Sequence, residues 1–258
     1  MEDLLPSVAV YLLILTRVTA FIVTVPLFSY RAVPTTHRIL FAALLSWMMV
    51  YTIEAPAIEI DGVYFMYVMK EAATGLFIGL IAYIVISAIQ IAGGFIDFQM
   101  GFAIANVIDP QTGAQSPLLG QFFNMLAMLL MLTLNAHHML LDGIFYSYRF
   151  IPIDMLWPAF GEERLIEFVV KTFVAVFAIA FQMSVPIVAT LFLVDLALGI
   201  TARTVPQLNI FVVGFPIKIG VSFLVLVTMA TVMVTMMRKL FEVMISAMRD
   251  LMIILGGG

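Results

Sequence analysis

TFVAVFAIAFQMSVPIVATLFLV, Thr172 to Val194, runs 23 residues without a charged side chain. A helix needs about 20 mostly apolar residues to cross the hydrocarbon of a bilayer. This stretch therefore sets the fold class. A second run, Ile219 to Met237, holds 19 uncharged residues. Working outward, apolar stretches fall at about 7–29, 39–53, 64–93, 94–108, 118–141, 165–194 and 207–237. The stretch 39–53 is short, and 94–108 carries Asp97; both fit half-spans or re-entrant pieces. The expected fold is all-α, an integral membrane protein of about six hydrophobic helices. Kinks are expected at Pro186 and Pro216, because proline removes a backbone donor. The longest loop, about 142–164, leaves no room for a soluble domain, so a single helical unit is expected.

Of the 258 residues, 64% are hydrophobic and 11% charged, against about 25% charged in soluble domains. Such a chain must place much of its surface against lipid or partner protein. The net charge is −4 and no basic run exists, which argues against nucleic acid, since phosphate binding needs clustered Lys and Arg. Without cysteine, disulfides and thiolate metal sites are excluded. Met1, Glu2 and Asp3 lack the positive charge that opens a secretory signal, so the first apolar segment is expected to stay. The loop charges conflict with the positive-inside rule. Arg31 and Arg38 lie in one loop, and Glu54, Glu59 and Asp61 in the next. These put the N-terminus outside, whereas Arg238, Lys239 and Arg249 put the C-terminal tail inside. An even number of spans cannot satisfy both. Along that tail, Arg238, Lys239, Glu242, Arg249 and Asp250 share one helical stripe. Phe241, Met244, Ile245, Met248 and Met252 share the other side, as in a helix end leaving the membrane or a helix that docks a partner.

Ionisable groups inside membrane helices usually face a cavity or a partner. Arg17, Lys70–Glu71, Asp97, Asp195 and Lys218 are such positions. Lys70–Glu71 also fits a place at the membrane interface. Gln90, Gly94, Asp97 and Gly101 recur at i, i+4, i+7 and i+11, one narrow helical stripe. Small residues admit a close helix and polar ones bond across it, so the stripe reads as a buried polar seam or as the wall of an aqueous path. Gly75 and Gly79 form a second close-approach face, a weaker signal. His37, His137 and His138 are the only histidines. One adjacent pair plus Asp142 is a poor metal cage, and no HExxH is present. No Gly-rich phosphate loop or nucleophile grouping appears, so the chain reads as a non-enzyme without cofactor or metal. Between Asp109 and Gln121 the chain reads DPQTGAQSPLLGQ, broken by Pro110, Gly113, Pro117 and Gly120. It is polar yet uncharged, and no Lys or Arg occurs between Glu71 and Arg149. Irregular backbone of this kind is tolerated at membrane depth only inside protein or beside a cavity. A short external turn is the plainer reading.

GGFIDFQMGFAIANVIDPQTGAQSPLLGQFFNMLAMLLMLTLNAHHMLL (93–141) resembles the central block of FliR proteins, and DLALGITARTVPQLNIFVVGFPIKIGVSF (195–223) resembles their C-terminal signature. His137–His138 follow Asn135–Ala136, where the family pattern has Asn-Gly. The resemblance covers most of the chain. It implies a subunit of the type III export apparatus at the flagellar base, in the bacterial inner membrane and basal body. There it would join FliP-like and FliQ-like subunits in a helical entry portal for unfolded substrates, next to FlhB-like and FlhA-like export proteins. It implies a P-like part, about 1–160, fused to a Q-like part, about 161–258. It also implies a pore plug formed by Val107, Ile108, Asp109, Pro110, Gln111, Thr112, Gly113, Ala114, Gln115, Ser116, Pro117 and Leu118. An injectisome homologue is the near alternative. A small-solute secondary transporter would share broken helices and intramembrane charges, but about six helices without a convincing inverted repeat argue against it.

Overall fold

A computed structural model describes residues 8–30, 33–56, 58–102, 117–207 and 209–257. Its regular structure is helix throughout the described residues. The helices are α1 (Val8–Thr24), α2 (Thr35–Met49), α3 (Tyr64–Met100), α4 (Leu118–Thr133), α5 (Ala136–Phe150), α6 (Glu163–Thr204) and α7 (Ile210–Leu255). The fold is thus an all-helical membrane protein. Three helices, α3, α6 and α7, are long and apolar enough to cross a membrane, and α4 with α5 makes a fourth if the broken pair is one span.

Prolines set several helix ends. Pro26, Pro152 and Pro206 each follow a helix within two residues, because proline's ring disfavours helical backbone in the residue before it. Ile151, just before Pro152, has left the helical region at φ −127°, ψ 83°. Two details differ from the sequence reading. The stretches 64–93 and 94–108 are not separate pieces: α3 is one helix of 37 residues. Gly93–Gly94 does not stop it, since the apolar run continues on both sides. The break falls instead inside 118–141, where Asn135 takes the left-handed conformation at φ 57°. Asparagine tolerates that conformation better than most residues. Both α6 and α7 run on through Pro186 and Pro216.

The chain forms two compact units, Met1–Ile86 with Leu132–Phe173 and Phe241–Gly258, and Ser87–Met131 with Val174–Leu240. In the first unit, α1 packs on α2 with Phe28 stacked on Phe41 (5.4 Å) and Tyr11 edge-on to Trp47 (5.8 Å). On its other side α1 lies against α3 at Gly75 and Gly79. A Cβ at Gly75 would strike the Arg17 carbonyl and stand 2.9 Å from Ala20 Cβ. One at Gly79 would strike Thr24 Oγ1 and stand 3.1 Å from the Phe21 carbonyl. Only glycine permits this approach, so the GxxxG pair is a real helix contact. The tail of α7 from Phe241 also belongs to this unit, with Phe241, Met244, Met248 and Met252 buried and Glu242, Arg249 and Asp250 exposed, as the stripe implied; Arg238 and Lys239, just before it, are exposed too.

In the second unit the end of α3 crosses α4 glycine on glycine. A Cβ on Gly93 would run into the Gly120 backbone and stand 2.9 Å from the Leu119 carbonyl carbon. Phe95 meets Phe181 edge-on at 6.4 Å, and Phe102 meets Phe215 at 6.2 Å.

Candidate functional site

The polar seam lies at the α3–α4 crossing. Asp97 is buried, and its carboxylate accepts the Leu119 N–H at 3.0 and 3.2 Å. Leu119 is the second residue of α4, so this N–H has no acceptor within its own helix. A carboxylate at a helix N-terminus also meets the favourable end of the helix dipole. The cap thus comes from another helix rather than from the residue before α4. Gly94 faces Pro117, whose Cγ would stand 3.3 Å from an added Cβ. Gln90 reaches Gly120: its carbonyl oxygen and Cγ would stand 3.0 and 3.4 Å from a Cβ there. Gly101 stands just past the end of α3, with φ 89°. Gly101 N–H donates to the Phe98 carbonyl and Phe102 N–H to the Asp97 carbonyl. That bond pair closes a helix and demands the left-handed conformation that glycine adopts freely.

Together the contacts of Gln90, Gly93, Gly94 and Asp97 tie the last turns of α3 to the start of α4. Of the plug residues, Val107 to Ser116 lie outside the described residues. Pro117 precedes α4, and Leu118 opens it with an exposed side chain.

A second polar group in the same unit joins α3, α6 and α7. Lys218 Nζ pairs with Asp195 Oδ1 at 2.6 Å, and Gln99 Nε2 donates to Asp195 Oδ2 at 2.9 Å. Lys218 also donates to the Gln99 carbonyl at 3.3 Å. Both side chains of the pair are part-exposed. The sequence flags Asp195 and Lys218 separately, 23 positions apart. It does not show that they pair, nor that Gln99 bridges them. Gln99 was a legible clue in itself, as an amide two residues past Asp97 on an apolar helix.

The first unit holds a different cluster. Arg17 and Glu71 are fully buried and form a two-pronged pair, with Nε to Oε2 at 2.5 Å and Nη2 to Oε1 at 2.9 Å. Arg17 also donates to Ser147 Oγ (3.0 Å) and the Ile151 carbonyl (2.9 Å), and its guanidinium lies 3.9 Å from the Tyr148 ring centre. Lys70 shares the same carboxylate at 2.6 Å and donates to the carbonyls of Pro152 (3.1 Å) and Ile153 (2.9 Å). Both carbonyls lie just past the end of the helix, and that of Pro152 also accepts the Met155 N–H at 3.3 Å. Lys70–Glu71 is therefore an interior pair, not an interfacial one. The cluster holds α1, α3 and the end of α5 together.

Among the described residues, no group of three or more His, Cys, Asp or Glu side chains stands together to hold a metal ion. The His137 and His138 rings lie against one another, 4.1 Å between centres.

The family model for bacterial export proteins, family 1, matches residues 8–244. The flagellar biosynthetic protein FliR of Bacillus subtilis (strain 168) is 56% identical over 255 residues, 98% of this chain and 97% of its own length. The FliR of Escherichia coli (strain K12) is 26% identical over 254 residues, 97% and 95% of the two chains. The Yop proteins translocation protein T of Yersinia pestis is 31% identical over 173 residues, 67% of this chain and 66% of its own. These relatives carry the names of export and biosynthetic proteins, not of enzymes. With a match along nearly its whole length, the chain belongs to family 1 of the bacterial export proteins, the family of FliR.

Proposed function

We propose that this chain is a subunit of the flagellar type III protein-export gate, set in the inner membrane at the basal body. It would assemble with FliP-like and FliQ-like subunits into an entry portal for unfolded flagellar proteins, and would meet FlhB-like and FlhA-like export proteins. One observation carries the flagellar reading: 56% identity over 98% of the chain to a flagellar biosynthetic protein. The match to the Yop translocation protein is lower and covers two thirds of the chain, which leaves injectisome export second.

The surface supports a chain completed by partners. In the most apolar windows of α6 and α7, only 33% and 11% of residues are buried. The division into a P-like part, 1–160, and a Q-like part, 161–258, belongs to the same proposal. So does the plug at Val107 to Leu118. A plug must move without melting a helix, and a segment broken by Pro110, Gly113 and Pro117 meets that need. Asp97 and the Gly93–Gly120 crossing fix the start of α4, which follows that segment in the chain.

Affinity purification in mild detergent tests the assembly. FliP-like and FliQ-like subunits should co-purify, and the chain made alone should aggregate or be degraded. A monodisperse, protease-resistant monomer made alone would sink the proposal. Deleting Gln111–Ser116 tests the plug. The complex should assemble but admit small ions and dyes; intact assembly with unchanged permeability would reject the loop as the seal.

A further inference from the structure

A cavity of about 440 Å³ opens in the first unit between α5 and the tail of α7. Its floor is apolar, with Met139, Ile245, Met248 and Met252. Gly143 lets Met248 in, since a Cβ there would stand 2.9 Å from the Met248 methyl. Three charged side chains mark its rim: Arg149 in the last turn of α5, Arg249 on α7, and Asp142. All three are exposed. Arg149 lies over the ring of Tyr146, another lining residue, at 4.8 Å. Neither arginine forms an ion pair among the described residues. Two guanidiniums thus border an apolar groove beside a single carboxylate.

We propose that this groove binds an anionic phospholipid, with the headgroup phosphate on Arg149 and Arg249 and an acyl chain along the methionine floor. The chemistry of the rim and floor selects the ligand. Arginine's planar fork fits two phosphate oxygens at once. The rim carries two positive charges and one negative charge, a surplus of one. A phosphodiester carries a single negative charge and cancels it, as in phosphatidylglycerol; a zwitterionic lipid leaves the surplus in place. The volume falls in the range of about 300–1,000 Å³ typical of small-ligand sites. The four floor side chains give an acyl chain an apolar bed, and thioethers adapt to a flexible chain. Basic pockets between membrane helices are where anionic headgroups bind.

The test uses the full chain in the complex with which it purifies, in mild detergent, titrated with phosphatidylglycerol and followed by native mass spectrometry. Wild-type protein should retain phosphatidylglycerol over phosphatidylcholine. The Arg149→Ala/Arg249→Ala variant should bind it at least about tenfold more weakly, the size of one lost charge-assisted hydrogen bond. Arg203→Ala, an exposed arginine on α6, should bind normally. Met139→Trp keeps the charges and narrows the groove. It should also weaken the lipid, and it provides a second reading if the double variant does not fold.

Several results would overturn the proposal. Equal retention of phosphatidylcholine would make the groove merely apolar. An equal loss with Arg203→Ala would make the binding diffuse electrostatics. Competition by inorganic phosphate at concentrations matching the lipid would assign the rim to a free anion. Binding by the isolated chain but not by the complex would give the groove to a partner subunit.

Discussion

Glu71 sits at the centre of the buried charge cluster of the first unit. It accepts three charge-assisted hydrogen bonds, two from Arg17 and one from Lys70, with all three side chains enclosed. The cluster carries a net charge of +1. Replacing Glu71 with glutamine keeps the shape and one acceptor oxygen but leaves +2 with no counter-charge. Replacing either cation instead leaves a neutral pair. Lys70→Gln retains the two-pronged Arg17–Glu71 contact and takes a donor from the Ile153 carbonyl and from the Pro152 carbonyl, which keeps the Met155 N–H. Arg17→Gln retains Lys70–Glu71 but strands the Ile151 carbonyl and the face of Tyr148, and leaves Ser147 Oγ only its bond to the Ile144 carbonyl. The order of damage is therefore Glu71→Gln, then Arg17→Gln, then Lys70→Gln. Removing one partner of a buried ion pair costs about 3–5 kcal/mol. At about 2–4 °C per kcal/mol for a chain of this size, Glu71→Gln should lower the unfolding midpoint by about 6–20 °C. The assay is thermal unfolding of the full chain, purified in mild detergent with its partners co-expressed. A Glu71→Gln midpoint within about 2 °C of wild type, or Lys70→Gln as the worst of the three, would refute the charge accounting.

The α3–α4 crossing gives a contrast between adjacent glycines: Gly93→Leu should abolish recovery of folded protein, because its Cβ alone meets the Gly120 backbone, whereas Gly94→Ala needs only a slight shift of Pro117 and should be recovered normally. Gly101→Ala should cost about 1 kcal/mol through strain at φ 89°, read as a small fall in the unfolding midpoint. Asp97→Leu strips the Leu119 N–H of its acceptor and should cost about 1–3 kcal/mol, while Asp97→Asn, which keeps an acceptor oxygen, should recover most of that in the same assay. Asp195→Lys and Lys218→Asp should each reduce recovery of the assembled complex, and the double exchange should restore it; failure of the double exchange would show that the pair's orientation matters more than its charge.

Much of this fold can be read locally. Apolar runs longer than about 20 residues announce α3, α6 and α7, and Pro26, Pro152 and Pro206 announce where helices stop. The Gly75–Gly79 spacing marks a helix contact, and the charged stripe from Arg238 to Asp250 marks the exposed side of the tail. The limits are equally specific. Arg17, Lys70 and Glu71 are conspicuous as charges among apolar residues, yet nothing local says that Arg17 meets Glu71, 54 positions on, or Ser147, 130 positions on. Such partners are chosen by how helices pack. The glycine stripe shows the same limit on a smaller scale. A 100° spacing picks Gly94, but the neighbour that touches α4 is Gly93, and deciding between them needs the direction of approach. Gly101 fits the spacing because it falls at the helix end, where it serves as a terminator.

The distribution of polarity also bears on what surrounds the chain. In the first unit the Arg17–Lys70–Glu71 cluster is turned inward and hidden from any apolar neighbour. The second unit's ion pair is not. Asp195 and Lys218 stay part-exposed on helices whose outer faces carry Leu196, Leu224 and Val227, at 49, 66 and 76% exposure. Hydrocarbon suits those three side chains but penalises an ion pair that it can touch, since lipid offers no hydrogen bonds in return. Water suits the pair but not the faces. A second protein surface resolves the conflict, because it can bring apolar side chains to the faces and polar groups to the pair. This is a physical ground, independent of any resemblance, for expecting protein rather than lipid against this part of α6 and α7.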